Sequence, residues 1–227
     1  MSKIPEDAIQ CLDKGFVRLV DSMGGDEAIV QAARVSYGKG TTKLSQDRGL
    51  IRYLMRHRHT TPFEMVEFKF HCKMPIFVAR QWVRHRTANI NEYSLRYSEA
   101  RDEFYYPDPE HIQFQSALNK QGRMGDVPDD LKKKVQDYFK EISNRSFEIY
   151  SELNTAGVSR ELARAILPVN LYTEWYWKND LHNLLHFVGL RSDSHAQYEI
   201  RVFSDAMAES VKAVAPFAWE AYQDYAV

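Results

Sequence analysis

The chain has 227 residues, 44% hydrophobic and 27% charged, an ordinary composition for a soluble globular protein large enough to bury one core. Thirty Lys and Arg face thirty-one Asp and Glu, and this near-zero balance argues against bulk nucleic-acid or membrane-surface binding, which needs a basic surface. Two cysteines, Cys11 and Cys72, make neither a disulfide framework nor a Cys-type zinc site, so a reducing cytoplasm is expected. There is no signal-like apolar run at the N-terminus and no eighteen-residue apolar stretch.

In chain order, residues 26 to 36 read as a helix, with Asp26 as candidate N-cap and Ile29, Ala32 and Ala33 on one face. A second helix is expected from Ser45 to about His57, turning Leu50, Ile51, Leu54 and Met55 inward. The clearest strand follows: Val66, Phe68, Phe70 and Cys72 alternate with Glu67, Lys69, His71 and Lys73. Cys72 therefore belongs to the apolar face, where packing is its default role. Pro75 suits the first turn of a helix running through Phe77 and Val78 to Trp82 and Val83. The stretch after that helix reads as a loop, and residues 117 to 128, with Gly122, Gly125 and Pro128, as a surface insertion.

A long amphipathic helix is expected over 129 to 155, with Leu131, Val135, Tyr138, Ile142, Ile149 and Leu153 in register and Gly157 stopping it. A short helix from Ser159 ends at Pro168, and Leu171 to Trp177 is aromatic and strand-like. Asn179 or Asp180 can cap a helix that delivers Arg191 at its end, and one last helix starts near Ser194. The order predicts an α+β fold, a single mixed domain over 1–227 with an antiparallel-rich sheet flanked by long helices. Gly-x-Gly-x-x-Gly does not occur, so the fold is not expected to be a Rossmann one.

The most informative stretch runs from Arg84 to Tyr97. It places three arginines, a histidine, a carboxylate, a serine and two amides within fourteen residues. Guanidinium charges this close repel one another and are costly to bury unpaired, but an anion among them removes both penalties. Planar bidentate donors suit phosphate and carboxylate. A solvated charged loop is the bland alternative; the Asn, Glu, Tyr and Ser neighbours favour a binding site for an anion.

Arg84-His85-Arg86, seven residues and then Ser94 resembles the signature of the flavin-dependent thymidylate synthases. Asn91 to Tyr97, the block His59-Thr60-Thr61-Pro62-Phe63-Glu64 and the block from Leu190 to Gln197 match in the same order. The similarity runs from about Asp13 to about Phe217. It implies a family-specific fold, a homotetramer with shared sites, and methylation of dUMP to dTMP. The implied route uses bound FAD, with methylenetetrahydrofolate as one-carbon donor and NADPH as reductant. A cysteine nucleophile is poorly supported, because neither thiol has a helix N-terminus or basic pocket to lower its pKa.

By the same resemblance Arg191 is the catalytic residue, meeting the uracil edge and favouring the ionised ring. On spacing alone, an Arg serving the helix C-terminus would be the simpler reading. The implied nucleotide shell is Gln81, Arg84, Glu92, Tyr93, Ser94, Leu95, Arg96, Arg164 and Arg191. The implied flavin shell is Ser36, His59, Thr61, Glu64, Arg84, His85, Arg86, Glu92, Asp180, Leu181, His182 and His186. The chain departs from some relatives in carrying Asp180 and His182 where they have Asn and Arg. Ser94 is assigned to hydrogen bonding, since no Gly-x-Ser-x-Gly elbow accompanies it.

Two other classes of protein compete with this reading. His182 and His186 share one helix face at i, i+4, but Asn183 stands where a zincin needs Glu and no third ligand is evident, so no metal is expected. An RNA-binding module would use Arg84, Arg86 and Arg96 with Tyr93 and Tyr97, and the neutral balance of charge opposes it.

Overall fold

The computed structural model describes residues 4–35 and 44–225, so Ser36 lies outside the described residues. Strands β1 (Ile9–Cys11) and β2 (Gly15–Met23) precede helices α1 (Asp26–Arg34) and α2 (Leu44–Arg56). Next come β3 (Glu67–Pro75), α3 (Ile76–Trp82) and β4 (Asn89–Glu92). A small hairpin, β5 (Phe114–Gln115) and β6 (Arg123–Met124), leads to α4 (Asp129–Thr155) and α5 (Arg160–Ala163). The chain closes with β7 (Tyr172–Asp180), α6 (Leu181–Arg191), α7 (Tyr198–Val214) and α8 (Pro216–Tyr225).

The five strands β1-β2-β3-β7-β4 form one sheet with every neighbouring pair antiparallel, an α+β arrangement of sheet and helices as expected. The alternation of β3 decides which face is covered. Phe68, Phe70 and Cys72 point to the core, and Trp177 and Trp175 stand opposite Phe70 and Cys72 on β7. Trp82 from α3 stands edge-on to Trp175 at 5.2 Å and stacks on Phe187 of α6 at 5.0 Å. Full burial of these rings and of Phe203 from α7 fixes α3, α6 and α7 on that face of the sheet.

The other face carries Glu67, Lys69, His71 and Lys73 of β3, and Phe16 of β2 and Tyr172 of β7 are buried on it. Lys73 points away from the core, yet it is buried, because the segment around Glu103 covers it and its Nζ meets Glu103 Oε2 at 2.6 Å. A second cluster (Ala100, Phe104, Tyr150, Ala163 and Leu171) packs α4 beside this segment. Among the described residues, no helix is long and apolar enough to cross a membrane.

Four expectations are corrected. The N-cap of α1 is Gly25, and the Asp26 carboxylate instead accepts from the backbone N–H groups of Phe217 and Ala218 at 2.8 and 2.9 Å. It thereby caps α8 across the core, a contact that typically contributes about 0.5–2 kcal/mol. The last helix is two helices: Ala215 leaves helical geometry and Pro216 lacks the N–H that continuation requires. On α4 the face that packs is built on Ser143, Phe147 and Tyr150, while Leu131, Tyr138 and Ile142 are exposed. Finally, Asn89–Glu92 is not loop but an edge strand, paired to β7 from Asn89↔Lys178 to Glu92↔Trp175.

Candidate active site

Helix α6 starts where its sequence says it should. Asp180 is the N-cap, its carboxylate accepting from the Asn183 backbone N–H at 2.9 Å and the Asn183 amide at 2.7 Å. Leu181, Leu184, Leu185 and Val188 bury one side of the helix, and Arg191 emerges at its last turn. Its Nε donates to His85 Nε2 at 3.0 Å and its Nη2 to the Gln81 carbonyl oxygen at 3.3 Å. The last turn of α3 and the first residues after it are therefore tied to the end of α6.

The electrostatics of this contact are unusual. Arg191 is half-buried, and burial lowers its pKa from the ordinary guanidinium range. Among the described residues no carboxylate pairs with it. Burial, reinforced by the Arg191 and His186 charges, holds His85 down at about 4, so at neutral pH its imidazole is uncharged. The Arg191 N–H points at His85 Nε2, which leaves the ring proton on Nδ1. A desolvated cation held between a neutral imidazole and a carbonyl is incomplete without an anion, or without a ring that becomes one.

Arg84 and Arg86 flank His85, both exposed, and neither side chain has an acidic partner among the described residues. Strand β4 then presents Glu92, whose Oε1 accepts from Thr173 Oγ1 at 2.7 Å. Ser94 sits in a turn: its Oγ accepts from the Arg96 backbone N–H at 3.3 Å, and its carbonyl accepts from the N–H groups of Tyr97 and Ser98. This turn meets α5 through Arg96 and Glu161 at 3.8 Å and through Arg160 and the Tyr97 carbonyl at 3.2 Å. Arg164, next after α5, lies on the same segment. Tyr93 is engaged at both ends, its N–H with the Glu174 carbonyl and its hydroxyl with the Glu99 carbonyl. Leu95 packs against the second core cluster, so its contribution to a ligand would come from its main chain.

A cleft of about 990 Å³ opens beside the other edge of α6. His59, His182 and His186 line it, with Arg58 and Thr60. His186 also meets His85, ring centroids 6.0 Å apart, which joins the cleft to the Arg191 site. Leu54, Met55, Phe63, Leu185, Trp219 and Tyr222 supply apolar and aromatic walls, and Asp205, Glu209 and Lys212 also line the cleft. Thr61 and Glu64 begin the turn after Thr60, where the Glu64 N–H bonds the Thr61 carbonyl at 3.1 Å. Leu181 is fully buried and its N–H bonds the Val66 carbonyl at 2.8 Å.

Such a donor set fits a flavin dinucleotide. The apolar and aromatic lining suits a tricyclic ring, and Arg58 with the imidazoles suits a pyrophosphate. Both cysteines are buried. Burial pushes Cys11 up to about 12 and Cys72 well above an ordinary thiol.

Three residues had no role assigned from sequence. Arg58 has φ +57°, a left-handed conformation that glycine takes more cheaply, and it closes α2 through His59 N–H to the Leu54 carbonyl at 2.9 Å. That turn carries His59 to the cleft. Gln197 bonds both Gln81 and Glu199, and of the two residues Gln197 and Glu199 only Gln197 belongs to a block recognised from sequence, which it ends without a role there.

A family model described as thymidylate synthase complementing protein matches residues 18–217. The chain is 55% identical to the flavin-dependent thymidylate synthase of Rickettsia conorii (strain ATCC VR-613 / Malish 7) over 238 residues, covering 99% of this chain and 81% of that protein. It is 59% identical to the enzyme of the same name from Ehrlichia ruminantium (strain Gardel) over 214 residues, covering 94% and 72%. Among solved structures, a UMP/dUMP methylase PolB from Streptomyces cacaoi, bound with 5-Br dUMP, superposes with a TM-score of 0.87. The two are 34% identical, over 96% of this chain and 98% of that one.

Proposed function

Because this chain belongs to the thymidylate synthase complementing family, the flavin-dependent thymidylate synthases, we propose that it converts dUMP to dTMP by reductive methylation. The one-carbon unit comes from methylenetetrahydrofolate and the reducing equivalents from NADPH, giving tetrahydrofolate and NADP⁺. The observation that carries the reading is Arg191, a half-buried cation without a carboxylate partner among the described residues, held between His85 and the Gln81 carbonyl.

In this reading Arg191 offers its unspent N–H donors to the uracil edge. Negative charge developing on the ring is then stabilised where water is partly excluded, and electron density is directed to the carbon being alkylated. His85, uncharged, fixes the guanidinium plane without competing for the anion. Arg84, Arg96 and Arg164 supply charge-assisted contacts to the phosphate, each typically worth about 1.5–3 kcal/mol. Ser94 and Gln81 hold the nucleotide by hydrogen bonds, with the main chains of Tyr93 and Leu95. Glu92, oriented by Thr173, accepts from sugar or ring.

The cofactor assigned to the cleft is FAD, held by His59, His182 and His186 with Thr61, Glu64 and the Arg84-His85-Arg86 run. Asp180 acts as the cap that starts the cofactor-facing helix, and Leu181 anchors it to the core. When bound, a flavin supplies hydride chemistry and carries the one-carbon unit, so the protein needs to orient and to stabilise charge. High thiol pKa values support a route without an enzymatic cysteine.

Exposed Leu131, Tyr138 and Ile142 on α4 support a homotetramer, since a stripe of this kind is commonly covered by another subunit. The two free thiols fit a cytoplasmic enzyme acting on small molecules, with no nucleic-acid or membrane partner. The direct test is dTMP formation by purified, FAD-loaded protein from dUMP, methylenetetrahydrofolate and NADPH. Product is expected only with all three present; none from flavin-loaded protein would overturn the proposal.

A further inference from the structure

Glu199 is the most buried carboxylate near the site, 2% exposed in the first turn of α7. Its Oε1 accepts from the Tyr105 hydroxyl at 3.1 Å and from Arg123 Nη2 at 3.0 Å. Its Oε2 accepts from Gln197 Nε2 at 2.9 Å. Gln197 is the residue before α7, and its side chain does not cap the helix. It reaches back to α3 instead, its Oε1 accepting from Gln81 Nε2. The main-chain carbonyl of that same Gln81 holds Arg191.

The direction of this chain of bonds is forced. A carboxylate offers acceptors only, so the Gln197 end facing Glu199 must be its NH₂. The other end, a carbonyl, is then what Gln81 meets, so Gln81 must turn its own NH₂ toward Gln197. Among the described residues this leaves Gln81 with its Oε1, an acceptor, and one N–H of the amide without a hydrogen-bond partner, and the position of the Oε1 is what the chain of bonds fixes.

We propose that Glu199 is a positioning residue: acting through Gln197, it fixes the amide orientation of Gln81 so that an acceptor faces the nucleoside part of the nucleotide. The proposal rests on the dUMP reading above and deepens it. A phosphate has only acceptors, whereas the uracil N–H and the sugar hydroxyl are donors, so the Oε1 held in this orientation can contact base or sugar but not phosphate. It also gives the β5–β6 hairpin a part in the site. Arg123 of β6 is one of the two anchors of Glu199, and Tyr105, whose pKa is raised by burial and by the Glu199 charge, remains the protonated donor that the other anchor requires.

The test is a double-mutant cycle on FAD-loaded enzyme, with dUMP affinity read from the flavin absorbance. Gln197→Met keeps length and packing but frees the Gln81 amide, and Gln81→Leu removes the amide. Each single change is expected to raise the dUMP Kd about three- to tenfold, the scale of one hydrogen bond. The double variant is expected to match the weaker single variant, since both remove one device. Glu199→Gln, which retains shape and hydrogen bonding but presents an ambivalent amide, should raise Kd similarly with flavin binding intact.

Multiplicative effects in the double variant, or an unchanged Kd in Gln197→Met, would overturn the inference while leaving the functional reading in place. Failure of the wild-type protein to bind dUMP at all would overturn the functional reading, and the inference with it.

Discussion

Replacing Arg191 separates catalysis from binding and folding. Its two protein contacts, at 3.0 Å to His85 and 3.3 Å to the Gln81 carbonyl, position the guanidinium, and no carboxylate among the described residues depends on it for charge balance. Arg191→Ala removes two charge-assisted bonds, but it also relieves the cost of desolvating an unpaired cation. The two effects oppose each other, so the melting temperature should change by only a few degrees. What is lost in full is preorganised stabilisation of charge on the reacting ring. One such donor is typically worth about 2.7–4 kcal/mol, a hundred- to a thousandfold in kcat. Arg191→Lys should recover little of this, because a point charge cannot contact His85, Gln81 and the ring edge at once. The assay is release of tritium from dUMP labelled at C5, alongside the flavin spectrum and a thermal melt. Turnover within threefold of wild type would refute the reasoning; so would loss of flavin in parallel with activity, which would make Arg191 a cofactor anchor.

Ser94→Ala should retain measurable turnover with weaker dUMP binding, because Ser94 is a hydrogen-bonding residue; complete loss of turnover with intact binding would point to a nucleophile. Glu103→Leu leaves the buried Lys73 without the carboxylate at 2.6 Å, and should cost about 3–5 kcal/mol, lowering the melting temperature by roughly 2–4 °C per kcal/mol. An unchanged melting temperature would show that the pair contributes little. His85 is held near 4 in the folded protein against 6.5 for a free imidazole, so between these values the unfolded chain binds more protons. Stability from this group is therefore complete above about 6.5 and falls as the pH is lowered toward 4; the His85 ring nitrogens followed by NMR should stay neutral at pH 5.5, and titration near 6.5 would contradict the environment described.

Much of the scaffold was legible because local rules and tertiary packing agree there. The alternation in Glu67–Pro75 became the central strand, Gly157 ended α4 at φ +81°, and Asp180 capped α6. Where reading by local rules failed, a distant partner decided the outcome. Asp26 has a good N-cap side chain, but Phe217 and Ala218 lie 191 and 192 residues away and take it. Lys73 reads as solvated until the Glu103 segment folds over it. Asn89–Glu92 reads as loop because strand pairing on an edge comes from β7, not from its own composition.

The same division holds for the site. The Arg84–Tyr97 cluster stood out by residue type and spacing, Arg191 only by resemblance to the family, and the structure ties His85 and Gln81 to Arg191. Arg58 did not stand out, because an arginine in left-handed geometry has no sequence mark of the kind that glycine gives. Gln197 and Glu199 escaped because their role is to orient another side chain, and that needs three dimensions to see.

The most direct measurement of the central claim is the visible absorption spectrum of the purified protein reconstituted with FAD, recorded before and after addition of dUMP. The account predicts a bound-flavin spectrum that dUMP perturbs, because His85 and His186 join the Arg191 site to the cleft. A protein that takes up no FAD, or a flavin spectrum indifferent to saturating dUMP, would contradict it.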